Sequence, residues 1–236
     1  MKRIINDLYD YDLKIYQYDD KFKFSLDSIL LAEFVDLKPS MDLIVDFCTG
    51  NAPVPLILST KTNTKIYGFE LQKNIFELGF LSVGANQLSD QITIVNANLR
   101  DTFEYILPES VDVVTCNPPY FKYEKTSVVN EDSEKAIARH EIAMTFEDIM
   151  ISSKYILKNK GSLYIVHRPD RIQEFLNCLT KYNFAVKKLQ FVYSDFSKDA
   201  IMVLIKAVKN GQAGMKISSP LNVLDYKSYK GIFERR

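Results

Sequence analysis

The sequence predicts an α/β protein whose central sheet is mostly parallel and is covered by helices on both faces. Short apolar runs with strand character alternate along the chain with segments in which apolar residues recur at helical spacing. This alternation is typical of right-handed βαβ units, because parallel neighbours need a crossover that a helix usually provides. The chain has 236 residues, of which 47% are hydrophobic, enough for one large domain with a substantial core.

The elements follow one another in a regular order after an acidic N-terminal segment. Residues 24–37 have helical spacing, with Ser25 as a candidate N-cap, and Pro39 ends the helix. The predicted strands cover residues 42–48, 65–70, 91–97, 111–116, 162–167, 185–194 and 200–208. The predicted helices cover residues within 49–59, 72–87, 99–107, 145–158 and 170–182. The sheet is therefore expected to have seven strands, with an antiparallel pair at its C-terminal end.

Composition excludes several classes of protein. No apolar run reaches the ~20 residues that span a bilayer, and the N-terminus lacks the apolar region of a secretory signal. The three cysteines are widely separated, and together with two histidines they predict neither a disulfide framework nor a metal site. We therefore expect a cytoplasmic protein that holds no metal and contacts no membrane.

The net charge is zero, but the charge is unevenly distributed. Residues 206–236 contain seven Lys or Arg and two Asp or Glu, an excess of +5 that the first 205 residues offset. Such an asymmetry can direct a phosphate backbone to one face, although a solvated tail has the same composition. A basic face around Lys187, Lys188 and this segment, with tyrosines between lysines, favours RNA as a partner.

The stretch VDFCTGNAPVP, residues 45–55, has the form of a strand, a tight turn and a helix. Gly50 is the one residue of this turn that takes a positive φ without strain. The N–H groups at the start of the helix can bind an electronegative ligand. The G-x-G-x-x-G pattern and the Walker A lysine are both absent, so pyrophosphate binding is poorly supported.

Polar residues stand at the ends of the next two strands as well. Glu70 closes the second strand, 24 residues after Asp46, where a carboxylate can accept hydrogen bonds from both ribose hydroxyls. Asn98 follows the third strand and could accept a hydrogen of an adenine amine, with Leu99 against the ring. Each could also be a helix-start acid or a turn former, but their occurrence at consecutive strand ends favours an adenosine without phosphates. S-adenosyl-L-methionine fits that description.

The fourth strand ends abruptly in Asn117-Pro118-Pro119-Tyr120. This tetrapeptide could simply be a turn. Alternatively, the Asn117 oxygen and the Pro118 carbonyl could each accept one hydrogen of a planar amine and direct its lone pair towards a methyl donor. The prolines limit the backbone, and Tyr120 could stack on a base that has left its helical stack. On this interpretation the stiffness of the turn positions two acceptors and a ring.

These motifs resemble class I S-adenosylmethionine-dependent methyltransferases of the N6-adenine type. More closely, the chain is similar over nearly its whole length to the tRNA1(Val) (adenine-37 N6)-methyltransferases, which modify the adenosine beside the anticodon of valine tRNA. The similar segments are FKFSLDSILLAEF (22–34), DFCTGNAPVPLILS (46–59), GFELQ (68–72), NPPYFK (117–122), ARHE (138–141), VHRPDR (166–171) and FVYS (191–194). The tetrapeptide alone is shared with DNA, rRNA and glutamine methyltransferases.

The resemblance implies a Rossmann-like class I methyltransferase fold and a role for individual residues. Those that would hold S-adenosyl-L-methionine are Ser25, Asp27, Asp46, Gly50, Asn51, Glu70, Leu71, Asn98, Leu99 and Asn117. Those that would hold the target adenine and promote transfer are Asn117, Pro118, Pro119 and Tyr120. Candidates for tRNA contacts are Arg139, His140, Arg168, Lys187 and Lys188, each of which could instead be a capping or ion-paired residue.

The resemblance also implies an organisation in three parts. We expect residues 1–40 to be a helical extension that closes the active site, and 41–210 to be the methyltransferase domain. Residues 211–236 would be a basic segment, either part of that domain or an RNA-contacting tail. The expected partner is tRNA, bound through the anticodon arm of the valine species, and the expected state is a monomer.

Two positions depart from the family pattern. Ala52 stands where a second glycine is usual, which would strain the loop at positive φ and be harmless at negative φ. Asn98 replaces a carboxylate, which removes a charge and keeps an acceptor.

Other functions remain open from the sequence. The same two acceptors would serve a release-factor glutamine, a DNA adenine or an rRNA guanine. The chain could also be a protein that binds S-adenosyl-L-methionine without catalysis, for which Ala52 is the main support.

Overall fold

A computed structural model describes residues 2–8, 11–19, 26–119 and 144–223. The strands are β1 (Arg3–Leu8), β2 (Leu13–Tyr18), β3 (Leu43–Phe47), β4 (Lys65–Glu70), β5 (Ile92–Asn96), β6 (Val111–Cys116), β7 (Leu157–His167), β8 (Phe184–Tyr193), β9 (Met202–Lys209), β10 (Lys216–Ile217) and β11 (Leu221–Asn222). The α-helices are α1 (Leu26–Phe34), α2 (Pro53–Ser59), α3 (Lys73–Ala85), α4 (Phe146–Ile156) and α5 (Ile172–Lys181). Two 3-10 helices cover Leu99–Glu104 and Pro169–Arg171.

The main sheet has the strand order β10-β8-β9-β7-β6-β3-β4-β5, and β11 also pairs with β8. All of its pairings are parallel except those of β9, which runs antiparallel to both β7 and β8. The prediction of a mostly parallel sheet of seven long strands ending in an antiparallel pair is confirmed; β10 and β11 add two residues each at the edge. The carboxyl ends of β3 to β8 therefore meet at one edge of the sheet.

Two apolar cores cover the two faces of the sheet, as the continuous apolar strands predicted. Ile44 and Val113 point into the core formed with α1, α2 and the N-terminal hairpin. Their neighbours Val45 and Val114 point into the other core, beneath α4 and α5. Helix α1 is anchored in the first core by apolar side chains and by an edge-to-face contact of Phe34 with Tyr164, whose ring centroids are 6.0 Å apart.

The N-terminal part differs from the prediction of a purely helical extension, because β1 and β2 form an antiparallel hairpin before α1. Exposed and half-buried side chains alternate along β1, and Leu8 at its end is buried; this period of two is the strand signal that the sequence interpretation missed. Strand β2 lies against α3, where the Tyr16 N–H donates to the Ser82 hydroxyl at 2.9 Å. Smaller differences are the 3-10 form of the helix after β5 and the start of β7 directly after α4.

Candidate functional site

The predicted cofactor and acceptor residues meet because the strands that carry them are neighbours in register. Phe47 of β3 pairs with Phe69 of β4 and with Cys116 of β6. The turn after β3 therefore lies between Glu70 on one side and Asn117 on the other. We call the ends of β3, β4 and β5 the cofactor half of this edge, and the end of β6 with α1 the acceptor half.

The turn after β3 places left-handed residues at alternate positions. Cys48, Gly50 and Ala52 have φ values of 57°, 60° and 71°. Gly50 was expected in this conformation, whereas Cys48 was not predicted and Ala52 was left open between positive and negative φ. The Ala52 N–H donates to the Thr49 carbonyl at 2.9 Å, and Ala52 is the N-cap residue directly before α2. A non-glycine residue in this region costs roughly 1–2 kcal/mol, so Ala52 does strain the loop.

Glu70 is held by backbone groups on both sides of its carboxylate. One oxygen accepts from the Gly50 N–H at 3.0 Å and the other from the Gln72 N–H at 2.9 Å. Burial raises the pKa of Glu70, although these N–H groups act in the opposite direction. A carboxylate offers about four acceptor sites, so acceptor capacity remains for a ribose hydroxyl. Glu70 therefore fits the role predicted for it while fixing the turn at Gly50.

Asp46 lies beneath the same turn and is 1% exposed. Its Oδ1 accepts from the Thr115 hydroxyl of the neighbouring strand at 2.6 Å. Burial raises the pKa of Asp46 to about 7, the Thr115 bond opposes this shift, and the charge of Glu70 adds to it. Thr115 was not singled out from the sequence, because only the strand pairing shows that it faces Asp46.

Asn51 connects the turn to the hairpin. Its side-chain amide donates to the Tyr16 carbonyl of β2 at 2.9 Å, and the residue is 1% exposed. The amide nitrogen of Asn51 therefore binds the protein's own backbone, and the cofactor contact expected of this residue stays a prediction. Helix α3 closes the turn from another side, since a Cβ at Gly79 would lie 3.0 Å from the Gly50 carbonyl oxygen.

The end of β5 brings the remaining cofactor candidates to the edge. The Asn98 oxygen accepts from the Arg100 N–H at 3.0 Å and caps the 3-10 helix that follows. Leu99 is buried, and Leu71 after β4 is 37% exposed. One lone pair of the Asn98 oxygen is thus engaged by the chain itself, and the second could accept from an adenine amine.

Asn117 is half-buried at the end of β6, followed by buried Pro118 and exposed Pro119. Its Nδ2 donates to the Ser28 hydroxyl of α1 at 3.0 Å. Ser28 was not predicted as a site residue, although it lies in the N-terminal segment that carries the family resemblance. A serine at a buried position of an apolar helix was the signal that could have identified it. Asp27, the predicted cofactor residue beside it, is half-buried.

Four predicted site residues, Ser25, Tyr120, Arg139 and His140, lie outside the described residues. Of the other RNA candidates, Arg168 is exposed, with its guanidinium 4.0 Å from Asp170. The Lys187 ammonium donates to the Gln212 carbonyl at 2.6 Å. The Lys188 ammonium lies 4.4 Å from the centroid of the Phe34 ring. Both lysines therefore make internal contacts.

The described residues contain neither a candidate metal site nor a helix that could span a membrane. Within these ranges, no cluster of three or more His, Cys, Asp or Glu side chains could bind a metal ion. In the same part of the chain, no helix has the length and apolar character needed to cross a membrane.

Comparisons with known proteins agree with this arrangement. No family model matches the chain. A tRNA1(Val) (adenine(37)-N6)-methyltransferase of Phocaeicola vulgatus is 24% identical over 190 residues, which cover 80% of this chain and 78% of that protein. Proteins of the same name from Bacteroides thetaiotaomicron and Cytophaga hutchinsonii are 25% and 22% identical, over 72% and 75% of this chain and 70% and 72% of their own lengths. The expected resemblance is confirmed.

Solved structures show the same fold. A protein of Agrobacterium tumefaciens described as a predicted O-methyltransferase matches with a TM-score of 0.67 at 18% identity, covering 84% of this chain and 87% of that one. TrmN from Thermus thermophilus matches with a TM-score of 0.56 at 17% identity, covering 77% of this chain and 48% of that one. The chain has the Rossmann-like fold of class I methyltransferases, as predicted.

Proposed function

We propose that this protein transfers a methyl group from S-adenosyl-L-methionine to the N6 amine of an adenine in tRNA. The observation that carries the proposal is the position of the Asn117 carboxamide, which is held at the strand end adjoining the turn that Glu70 fixes. The names of the similar proteins supply the substrate class.

The residues present fit the cofactor. Glu70 has acceptor sites left for the ribose, and Asn98 and Leu99 stand at the next strand end for the adenine. The carboxyl groups of Asp46 and Glu70 lie at the turn where a ligand with positive sulfonium and ammonium groups would bind, and Asp46, with a pKa of about 7, would carry part of a negative charge at neutral pH. When bound here, the cofactor would supply an electrophilic methyl group.

The chain's own contribution to the reaction is orientation. An adenine amine is a weak nucleophile because its lone pair is delocalised into the ring. The Asn117 oxygen and the Pro118 carbonyl would each accept one of its hydrogens and direct the lone pair out of the plane of the ring. Fixed acceptors of this kind lower the barrier by electrostatic preorganisation. As the nitrogen takes the methyl group, the bond between that carbon and the donor sulfur would break, and the methylated amine would release one proton to solvent, so no strong base is needed.

The finer substrate is also part of the proposal. We infer that the target is adenine-37 of tRNA1(Val), that the anticodon arm is bound with help from Arg168, and that the protein acts in the cytoplasm as a monomer. Tyr120, Arg139 and His140 keep the roles that the resemblance implies.

Methyl transfer to defined substrates tests the proposal. Purified protein with labelled S-adenosyl-L-methionine should label total tRNA, and nucleoside mass analysis should show N6-methyladenosine at position 37 of the valine species. Label in DNA, rRNA or release factor, with none in tRNA, would identify a different planar amine as the target. Cofactor binding with no transfer to any of these would contradict the proposal and favour a non-catalytic binding protein.

A further inference from the structure

We infer that Ser28 is a positioning residue that orients the Asn117 carboxamide, so that its oxygen faces the target amine. The inference rests on the proposed function and adds a residue from the opposite side of the site. It starts from one contact, the 3.0 Å hydrogen bond from Asn117 Nδ2 to the Ser28 hydroxyl.

An asparagine side chain needs such a partner. The terminal torsion of asparagine is broad and nearly two-fold, so its oxygen and its NH2 group can exchange places at little cost. Only one arrangement suits an amine, because an outward NH2 would place a donor against the donor hydrogens of the adenine. A hydroxyl that accepts from Nδ2 holds the NH2 group inward and leaves the oxygen outward.

Ser28 is well placed to hold this arrangement. It is 6% exposed, and its neighbours Ile29, Leu30 and Leu31 are each 2% exposed or less, which fixes α1 in the core. The hydroxyl position is therefore set by packing across the sheet, independently of the turn that carries Asn117. The two residues are 89 positions apart in the chain, so the contact joins the N-terminal segment to the acceptor.

Two substitutions separate the hydrogen bond from packing. Ser28→Ala removes the acceptor, while Ser28→Cys nearly keeps the volume and offers only a weak acceptor. Both should lower kcat roughly five- to tenfold, as expected for one neutral hydrogen bond. The Kd for S-adenosyl-L-methionine should stay within about twofold of the parent value, and the melting temperature should fall by no more than about 4 °C. Parental kcat in both variants would overturn the inference, and loss in the alanine variant alone would assign the effect to packing.

Ser153→Ala is the matched control. Ser153 is a fully buried serine of α4, beneath the other face of the sheet, and its hydroxyl has no hydrogen-bond partner within the described ranges. This variant should keep parental kcat. A loss equal to that of Ser28→Ala would show that any buried serine has the same effect, and the inference would fail.

A double-mutant cycle tests whether Ser28 acts through Asn117. In an Asn117→Ala background, Ser28→Ala should have no further effect on single-turnover methyl transfer, because the group that it orients is gone. An undiminished further loss would show that Ser28 acts on its own, and the inference would be overturned.

One test of the inference does not depend on turnover. If the parent methylates no substrate, the proposed function fails, and the contact is judged by NMR of protein labelled with 15N-asparagine. The side-chain amide signal that Asn117→Ala removes should shift in Ser28→Ala and remain in place in Ser153→Ala. An unshifted signal in Ser28→Ala would overturn the inference whatever the reaction.

Discussion

The carboxylates of the cofactor half are held by the sheet and its own turns, whereas the carboxamide of the acceptor half is held by a helix from the N-terminal segment. Glu70 accepts from Gly50 and from Gln72, which lies two residues away, and Asp46 accepts from the adjacent strand. The Asn117 carboxamide donates to the Ser28 hydroxyl of α1. Changes in the cofactor half should therefore affect stability and cofactor affinity together, whereas changes in the acceptor half should affect turnover far more than cofactor affinity.

The largest effect is expected from Asn117→Ala. Removing one of two fixed acceptors should lower kcat by about 10²–10³, comparable to the loss of an oxyanion-hole donor. Cofactor affinity, measured by isothermal titration calorimetry, should remain close to the parent value. Turnover within about threefold of the parent would show that the carboxamide is structural and would remove the distinction between the two halves.

Glu70→Gln tests the cofactor half directly. The new NH2 group must face the N–H of either Gly50 or Gln72, so one charge-assisted hydrogen bond is lost and two donors oppose each other. We expect affinity for S-adenosyl-L-methionine to fall roughly 10- to 100-fold, with a loss of stability of about 1–3 kcal/mol. Glu174→Gln, at an exposed ion pair with Arg171, is the control and should change neither quantity. Unchanged affinity in Glu70→Gln would exclude Glu70 as a cofactor ligand.

The buried carboxyl of Asp46 predicts a specific dependence of stability on pH. Its pKa of about 7 in the folded protein lies above the ordinary aspartic acid value of 3.8, so the native state binds the proton more tightly than the unfolded chain does. The stability that this tighter proton binding contributes is fully present below the pKa of Asp46 in the unfolded chain, and it is lost as the pH rises through about 7. Between pH 5 and 8, the free energy of unfolding of the parent should therefore fall relative to Asp46→Asn, by on the order of 2 kcal/mol.

Urea unfolding of both proteins at four pH values measures this difference. Asp112→Asn is the control, because hydrogen bonds from Lys158 and two backbone N–H groups outweigh burial and lower the pKa of Asp112. The difference in the free energy of unfolding between Asp112→Asn and the parent should not change between pH 5 and 8. A flat difference for Asp46→Asn as well would mean that Asp46 is ionised at pH 5, and the account of its burial would be wrong.

The smallest effect is expected from Ala52→Gly. The substitution relieves the left-handed strain at φ 71°. Against this, it removes a buried methyl group and raises the conformational entropy of the unfolded chain, and both of these changes destabilise the fold. The net change in the free energy of unfolding should be a stabilisation of at most about 1 kcal/mol. The same substitution at Ala32, equally buried but within α1, should destabilise by about 1 kcal/mol. Equal losses at both positions would show that Ala52 is not strained.

The sequence predicted the sheet well because its signals are local. Strands β3 to β6 are largely apolar, and β7 to β9 each contain an apolar run. Polar residues stand at or near the ends of β3, β4 and β5, so the order of elements and the edge of the sheet that carries Glu70 and Asn117 followed directly. The hairpin of β1 and β2 was missed because its alternation is short and lies in an acidic, tyrosine-rich segment. The left-handed conformation of Cys48 was missed because cysteine is not a residue type that predicts a turn.

The partners of the site residues could not be predicted for a different reason. Thr115 and Ser28 contact Asp46 and Asn117 across 69 and 89 residues of chain, so the contacts exist only once the sheet and α1 have packed. The sequence predicted which residues carry the chemistry and left open what holds them. The contact from the Asn51 amide to the backbone of β2 was likewise not predictable, and the cofactor contact expected of Asn51 stays a prediction.

A crystal structure of the complex with S-adenosyl-L-homocysteine tests the central claim most directly. We predict the ribose hydroxyls on Glu70, the adenine beside Asn98 and Leu99, and the sulfur in front of an Asn117 oxygen that points away from Ser28. An adenosine bound elsewhere on the molecule, or an Asn117 whose NH2 group faces the sulfur, would contradict it.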